Sequence, residues 1–225
     1  MNLLIVGAPG AGKGTMSNFI VEKYHLVHIS TGDMLRQEIK DDTEIGKLAK
    51  ELIARGELVP DSIINDMIVA RLSADDVKQG FLFDGYPRTL SQAESLTEIL
   101  KGLGKKIDAV INLNVSDDIL IKRIEGRRLC SKCGASYNIF FSAPQTEGVC
   151  DKCGGKLSIR ADDNAESLKI RLEEFRRNTQ PVIEYYEKLN VIEDINANAD
   201  RYVEFEDIKK ALEGIEWYRL NLKEK

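Results

Sequence analysis

The sequence predicts an α/β protein, a parallel sheet covered by helices on both faces, with one helical insert and one small β insert. Three observations carry this. Short apolar runs alternate with stretches of helical periodicity along most of the chain. A glycine-rich segment joins the first apolar run to the first helix. All four cysteines fall between positions 130 and 153, where the alternation stops.

Leu3 to Val6 reads as a buried strand, and Met16, Phe19, Ile20 and Tyr24 recur at helical spacing from Lys13 onward. Val27–Ile29 fits a second strand. Helical patterns follow over 32–40, 44–54 and 61–72, punctuated by Gly56 and Pro60. Phe81-Leu82-Phe83 is a continuous apolar run, as strands buried on both faces show. A helix is expected over 91–100, a strand over 109–113, and a helix over 116–125 capped by Ser116 or Asp117. Residues 129–159 hold the cysteines, several glycines and short alternating segments, a small β insert. One long helix is expected over 163–189, then a strand over 191–195 and a helix over 204–212. The segment from Glu216 onward reads as a short amphipathic tail, with Trp217 packing on the core surface.

The chain has 225 residues, enough for one α/β core with inserts. Its 43% hydrophobic and 31% charged residues are ordinary for a globular protein. No apolar run approaches the ~20 residues that span a bilayer. The uncharged start at Met1 suits a strand better than a signal peptide, so a cytoplasmic location is expected. The net charge of −5 gives no support to nucleic-acid binding. Anionic ligands must then be held by local positive charge.

Gly7-Ala8-Pro9-Gly10-Ala11-Gly12-Lys13-Gly14-Thr15 is the strongest local signal. Glycines let successive N–H groups turn inward onto phosphate oxygens, and the following helix adds its positive end. Lys13 supplies a point charge for the β- and γ-phosphates. Gly14 stands where the general pattern has Ser or Thr, so this is a variant of the P-loop. It places the fold in the P-loop NTPase class and implies a nucleoside triphosphate, without naming a reaction. Asp84 ends a buried strand on the side where such sheets bind ligands, and its carboxylate could hold Mg²⁺ through water.

Cys130-Ser131-Lys132-Cys133 and Cys150-Asp151-Lys152-Cys153 are two C-x-x-C pairs with sixteen residues between them. This spacing predicts a tetrahedral zinc site. Four thiolates leave no open position, so the metal is expected to be structural. A small insert with few large apolar residues needs such a staple.

With the P-loop variant, three further stretches make the chain similar to the adenylate kinases among nucleoside monophosphate kinases: Ser30 to Arg36, Asp84 to Thr89, and Gly126-Arg127-Arg128. The resemblance runs from residue 2 to about residue 214. It implies Mg-dependent transfer between ATP and AMP to give two ADP, in a monomer. It divides the chain into a core (1–29, 60–125, 164–225), an AMP-binding insert (30–59) and a zinc-containing lid (126–163). By resemblance Gly10, Ala11, Gly12, Lys13, Gly14 and Thr15 hold the ATP phosphates. Arg127, Ser136 and Tyr137 contact ATP from the lid, and a carbonyl near Asn198 touches its adenine. Thr31, Arg36, Glu57, Leu58, Val59, Gly85, Tyr86, Pro87, Arg88 and Gln92 surround AMP. Arg123, Arg160 and Arg171 converge with Lys13 and Arg88 on the transferring group, and Arg160 and Arg171 also reach AMP. The chain departs from the family pattern at Met16, at Tyr86, at Asn196-Ala197-Asn198 and in its longer tail.

This chemistry suits the composition. The acceptor is a phosphate oxygen already ionised at neutral pH, so no general base is needed. The only two histidines, His25 and His28, lie outside the phosphate motifs and read as structural. Arginine forks bind phosphate oxygens bidentately and stay charged. Asp162 and Asp163 follow Arg160 and could pair with arginines or cap the next helix. Three rival readings are weaker. Against a kinase for UMP, CMP or GMP, Thr31 and Gln92 favour AMP by resemblance, and a panel of acceptors separates the two. A GTP-dependent switch needs an Asn-Lys-x-Asp segment, which is missing. A nucleic-acid-binding zinc ribbon needs strong positive charge, but residues 126–163 carry six basic against four acidic residues.

Overall fold

The computed structural model describes residues 1–55, 57–160, 163–198 and 200–222, with side chains described through residue 215. Gly56, Asp162 and the Trp217 side chain therefore lie outside the described residues. Five parallel strands form the sheet: β1 (Asn2–Gly7), β2 (Val27–Ser30), β3 (Phe81–Asp84), β4 (Ala109–Asn114) and β8 (Ile192–Asn196). Their order is β2-β3-β1-β4-β8.

Period-two alternation splits the sheet's side chains between two cores. Leu4, Val6, Phe81, Phe83 and Val110 point to one face, where α4 (Asp61–Leu72), α5 (Leu90–Gly102) and α8 (Gln180–Lys188) pack. Leu3, Ile5, Leu82, Ala109 and Ile111 point to the other, against α1 (Lys13–Tyr24) and α9 (Arg201–Leu222). Both faces are covered, which is why these strands read as unbroken apolar runs.

β1 leads through α1 to β2 on one side, whereas β3 leads through α5 to β4 on the other. The carboxyl ends of adjacent β1 and β3 thus form a switch point, where open α/β sheets bind ligands. Ile5 pairs with Asp84, so the glycine-rich loop and Asp84 leave the sheet side by side.

Between β2 and α4 stand α2 (Thr31–Lys40) and α3 (Glu44–Arg55). Ser30 caps α2 by accepting from the Asp33 N–H at 3.3 Å. After α6 (Asp117–Gly126) the chain forms a separate antiparallel sheet of β5 (Arg127–Cys130), β6 (Ser136–Asn138) and β7 (Leu157–Ser158), in the order β6-β5-β7.

The long helix expected over 163–189 is modified. It begins as α7 at Ala165, with the Asn164 side chain accepting from the Ser167 N–H at 2.8 Å. Phe175–Thr179 is a π-helical turn, and the chain resumes as α8. Pro181 explains the wide turn. It has no N–H to give, and its ring would strike the carbonyl four residues back in a regular helix. The last helix is also longer than expected, starting at Arg201 and continuing to Leu222. A 3₁₀ turn at Asp75–Gln79, unforeseen from the sequence, leads into β3.

Candidate active site

A cleft of about 1190 Å³ opens at the switch point and runs between the main sheet, α2 and the small antiparallel sheet. The glycine-rich loop forms its floor. Gly10 and Gly12 hold φ of 87° and 98°, which side chains with a Cβ rarely tolerate. Gly12 is the residue before α1, so the loop's turn and the helix's positive end coincide.

Lys13 folds back over this loop, and its Nζ donates to the carbonyls of Gly7 at 2.6 Å and Ala8 at 3.0 Å. Burial pulls its pKa down to about 8; Asp84 opposes this, while Arg88, Arg171 and Arg127 add to it. Asp84 is balanced the other way. Burial pushes its carboxyl up, but the neighbouring His28 side chain and the charges of Lys13 and Arg88 outweigh that and hold it low. His28 Nε2 stands 3.6 Å from Asp84 Oδ2, and Ser17 Oγ donates to the same oxygen at 3.4 Å. An ionised, nearly buried carboxylate beside the phosphate loop is a suitable anchor for a hydrated divalent cation.

Arginines enter from widely separated segments. Arg123, on α6, donates to Ala11 O at 2.8 Å and to Glu204 Oε1 at 3.1 Å. Glu204 is 1% exposed, and burial raises its pKa against the pull of Arg123. Arg127, at the start of β5, makes a two-pronged pair with Asp163. Arg88 donates through Nε to Gly85 O at 2.8 Å, and Thr31 Oγ1 donates to the same carbonyl at 2.8 Å. Thr179, in the π-turn, donates to Arg88 O at 2.9 Å. Arg160 and Arg171 complete the cationic wall.

The four cysteines converge where β5 ends. All four Sγ atoms lie within 4.8 Å of one another. Cys130 and Cys153 are 3.4 Å apart, and Cys133 and Cys150 are 3.6 Å apart. Both distances are far beyond a disulfide and close to the ~3.8 Å edge of a tetrahedron with 2.3 Å Zn–S bonds. A Cβ on Gly155 would come within 2.8 Å of Cys130 Sγ, so the backbone there makes room for the cluster. Tyr137 Oη lies 3.5 Å from Cys150 Sγ, and that contact above all lowers the Cys150 thiol to about 6. Cys153 is pushed up to about 12: the Gly155 N–H favours its thiolate, but its contacts with Cys133 and Cys130 prevail. Four thiols so crowded ionise together only around a cation, and the donor set is compatible with zinc.

Residues 5–191 match the family model described as Adenylate kinase. The chain is 49% identical to an adenylate kinase of Bacillus cytotoxicus, with 96% of this chain and all of the relative covered. It is 50% identical to one from a Geobacillus species and 48% identical to one from Bacillus thuringiensis, at the same coverage of both chains. The chain belongs to the adenylate kinase family. Adenylate kinases are nucleoside monophosphate kinases that interconvert ATP and AMP with two ADP, and this chain is such a phosphotransferase. No described helix is long and apolar enough to cross a membrane.

Most residues expected of an adenylate kinase site meet in the cleft. Gly10, Gly12, Lys13, Gly14 and Thr15 line its floor. Thr31, Arg36, Glu57, Leu58 and Val59 line one end, with Gly85, Tyr86, Pro87, Arg88 and Gln92 beside them. Arg127, Ser136 and Tyr137 line it from the small sheet, and Arg160 from the segment that follows β7. Two residues stand apart. Ala11 is fully buried and offers its carbonyl to Arg123. Asn198 is outside the cleft lining, and its side-chain oxygen accepts from the Ser116 N–H at 2.8 Å. The Ser116 side chain makes no cap bond to α6.

Sequence reasoning missed His28, Ser17 and Glu204 as site residues. His28 and Asp84 sit on one face of neighbouring strands, because Ser30 pairs with Asp84 and His28 with Leu82. The strand order was needed to see it. Of the two carboxylates after Arg160, Asp163 is the one seen to pair with Arg127.

The lowered Lys13 pKa has a pH consequence. Its ammonium is penalised in the folded protein below about pH 8, and the penalty is relieved as pH rises toward 10.5. With ATP phosphates on this loop, as proposed below, the ammonium would be favoured, and ATP binding should take up a proton above pH 8. ATP affinity, measured by calorimetry in buffers of different ionisation enthalpy, should weaken up to about tenfold per unit between pH 8 and 10.

Proposed function

We propose that the cleft holds both nucleotides at once, with ATP over the glycine-rich loop and AMP beside Thr31, Arg88 and Gln92, and that the phosphoryl group passes directly between them. The observation that carries this is the convergence of Lys13, Arg88, Arg123, Arg127, Arg160 and Arg171 on one cleft. The space exceeds the ~300–1,000 Å³ of an ordinary single-ligand pocket. Two polyanions repel each other, so a wall of fixed cations is what brings them into line.

In this reading, loop N–H groups and Lys13 orient the ATP phosphates. Arg88, Arg160 and Arg171 bind the AMP phosphate and the equatorial oxygens in transfer. Arg123 is steered by Glu204 and Ala11 O, and Arg127 by Asp163. Both can re-pair with phosphate when nucleotide arrives. Ser136 and Tyr137 cover the triphosphate side and exclude water, which would otherwise compete as acceptor. Asp84, held ionised by the neighbouring His28, Lys13 and Arg88, would hold Mg²⁺ through water; the cation, when bound with ATP, would neutralise charge on the β- and γ-oxygens. Cys130, Cys133, Cys150 and Cys153 would hold structural zinc. The units proposed are a core (1–29, 60–125, 164–225), an AMP-binding insert (30–59) and a lid (126–163), in a cytoplasmic monomer.

The decisive assay measures ADP formed from Mg·ATP with AMP, GMP, CMP or UMP as acceptor. AMP should be preferred by at least about tenfold, and an equal rate with any other acceptor would reassign the acceptor site. Arg88→Ala should raise KM for AMP and lower kcat by roughly 10²-fold, with ATP affinity nearly unchanged. An equal loss of ATP affinity would remove Arg88 from the AMP side.

A further inference from the structure

The base-reading end of the cleft is organised by a residue with no assigned role. Asp61 opens α4, and its two carboxylate oxygens are both engaged. Oδ2 accepts from Thr89 Oγ1 at 2.7 Å, and Oδ1 accepts from Gln92 Nε2 at 2.6 Å. Thr89 caps α5 by accepting from the Gln92 N–H at 3.2 Å. Gln92 Oε1 accepts from the Arg88 N–H at 2.7 Å. Gln92 is 3% exposed, yet it lines the cleft.

These partners fix which way the carboxamide points. A carboxylate only accepts, so the Gln92 atom facing Asp61 must be the nitrogen. A backbone N–H only donates, so the atom facing Arg88 must be the oxygen. Turning the amide over would set nitrogen against an N–H donor and oxygen against a carboxylate. Both contacts would become repulsive, in a site shielded from water. Among the described residues, each amide atom has one partner. One N–H and one oxygen lone pair therefore stay open in a fixed order.

That order carries information about a purine. The Watson–Crick edge of adenine offers N1 as an acceptor and the N6 amino group as a donor. Guanine offers the reverse pair, an N1–H donor and the O6 acceptor. A carboxamide free to turn over can satisfy either edge, and one that is locked satisfies one. We propose that Asp61 is a specificity-determining positioning residue, which locks the Gln92 amide so that the acceptor site takes a 6-aminopurine monophosphate and rejects a 6-oxopurine one. The proposal rests on the reading above, that Gln92 faces the AMP base.

The test compares kcat/KM for AMP with the inhibition constant of GMP against AMP, in wild type, Asp61→Ala, Asp61→Asn and Gln92→Leu. Asp61→Ala should raise KM for AMP about tenfold or more while GMP binding changes less, so the AMP-to-GMP preference narrows by about tenfold. KM for ATP should not move. Asp61→Asn keeps an oxygen to accept from Nε2 and should recover most of the preference. If Asp61→Ala does not fold, Asp61→Ser reads the same ratio, since its hydroxyl starts a helix but is too short to reach the amide. A variant that weakens AMP and GMP by the same factor would make Asp61 a scaffold residue and overturn the proposal. Gln92→Leu separates the two layers. Should it leave the preference intact, the reading of Gln92 itself fails. Should it collapse the preference while Asp61→Ala does not, the lock alone fails.

Discussion

Lys13→Met should lower kcat by roughly 10²-fold or more while leaving the fold intact. The expectation follows from where the ammonium sits. It is held over the loop by the carbonyls of Gly7 and Ala8, where the phosphates of the proposed ATP site and the charge that develops in transfer would lie. A group fixed in this way needs no reorganisation at the moment of reaction, so its loss falls on the transition state more than on ground-state binding. Stability should move little or rise. Burial disfavours the Lys13 ammonium, and methionine fills similar space without that cost. Steady-state kinetics and a thermal melt on the same preparation decide it. A turnover within about threefold of wild type would remove Lys13 from the chemistry. The variant also checks the pH effect: the weakening of ATP binding above pH 8 should vanish with the lysine.

What the sequence made legible was local. The glycine-rich loop and the short apolar runs of β1, β3 and β4 depend on residues a few positions apart, and each stands where it was expected. The C-x-x-C pairs were legible because cysteine spacing alone constrains a tetrahedral site. What could not be read depends on which distant segments become neighbours. Glu204 steadies Arg123 across 81 residues, and Asp61 meets Gln92 across 31. His28 looked structural until strand order placed it against Asp84. Pro181 is a different case. It was visible inside a helical stretch, but whether the helix would break, kink or widen into a π-turn depends on neighbours such as Thr179, whose hydroxyl is committed to Arg88 O.

Cys150→Ser should empty the metal site and loosen the small sheet before the main one. The sheet's own core is slight: Cys130, Cys150 and Leu157 are its buried members, with Ala135, Tyr137 and Cys153 against them. So few apolar contacts cannot offset the entropy of ordering the insert, and metal–thiolate bonds at the proposed site would supply the rest. Wild-type protein should carry about one equivalent of zinc. The variant should carry much less and melt roughly 5 °C or more lower, since each kcal/mol is worth about 2–4 °C in a chain of this size. Hydrogen exchange should rise first over 127–158. Turnover at low temperature should partly survive, because Lys13, Arg88 and the glycine-rich loop lie outside the insert. It should not survive whole, because Arg127, Ser136 and Tyr137 lie within it. Tyr137 gives the clearest link: the residue lines the cleft, and its hydroxyl touches Cys150 Sγ and accepts from the Asp151 N–H at 2.9 Å. Losing the metal should therefore raise KM for ATP more than KM for AMP. Four free thiols and no metal in freshly purified wild type would refute the structural role. So would a variant that melts like wild type yet has no turnover, because a closed four-thiolate site has no position for a reacting water.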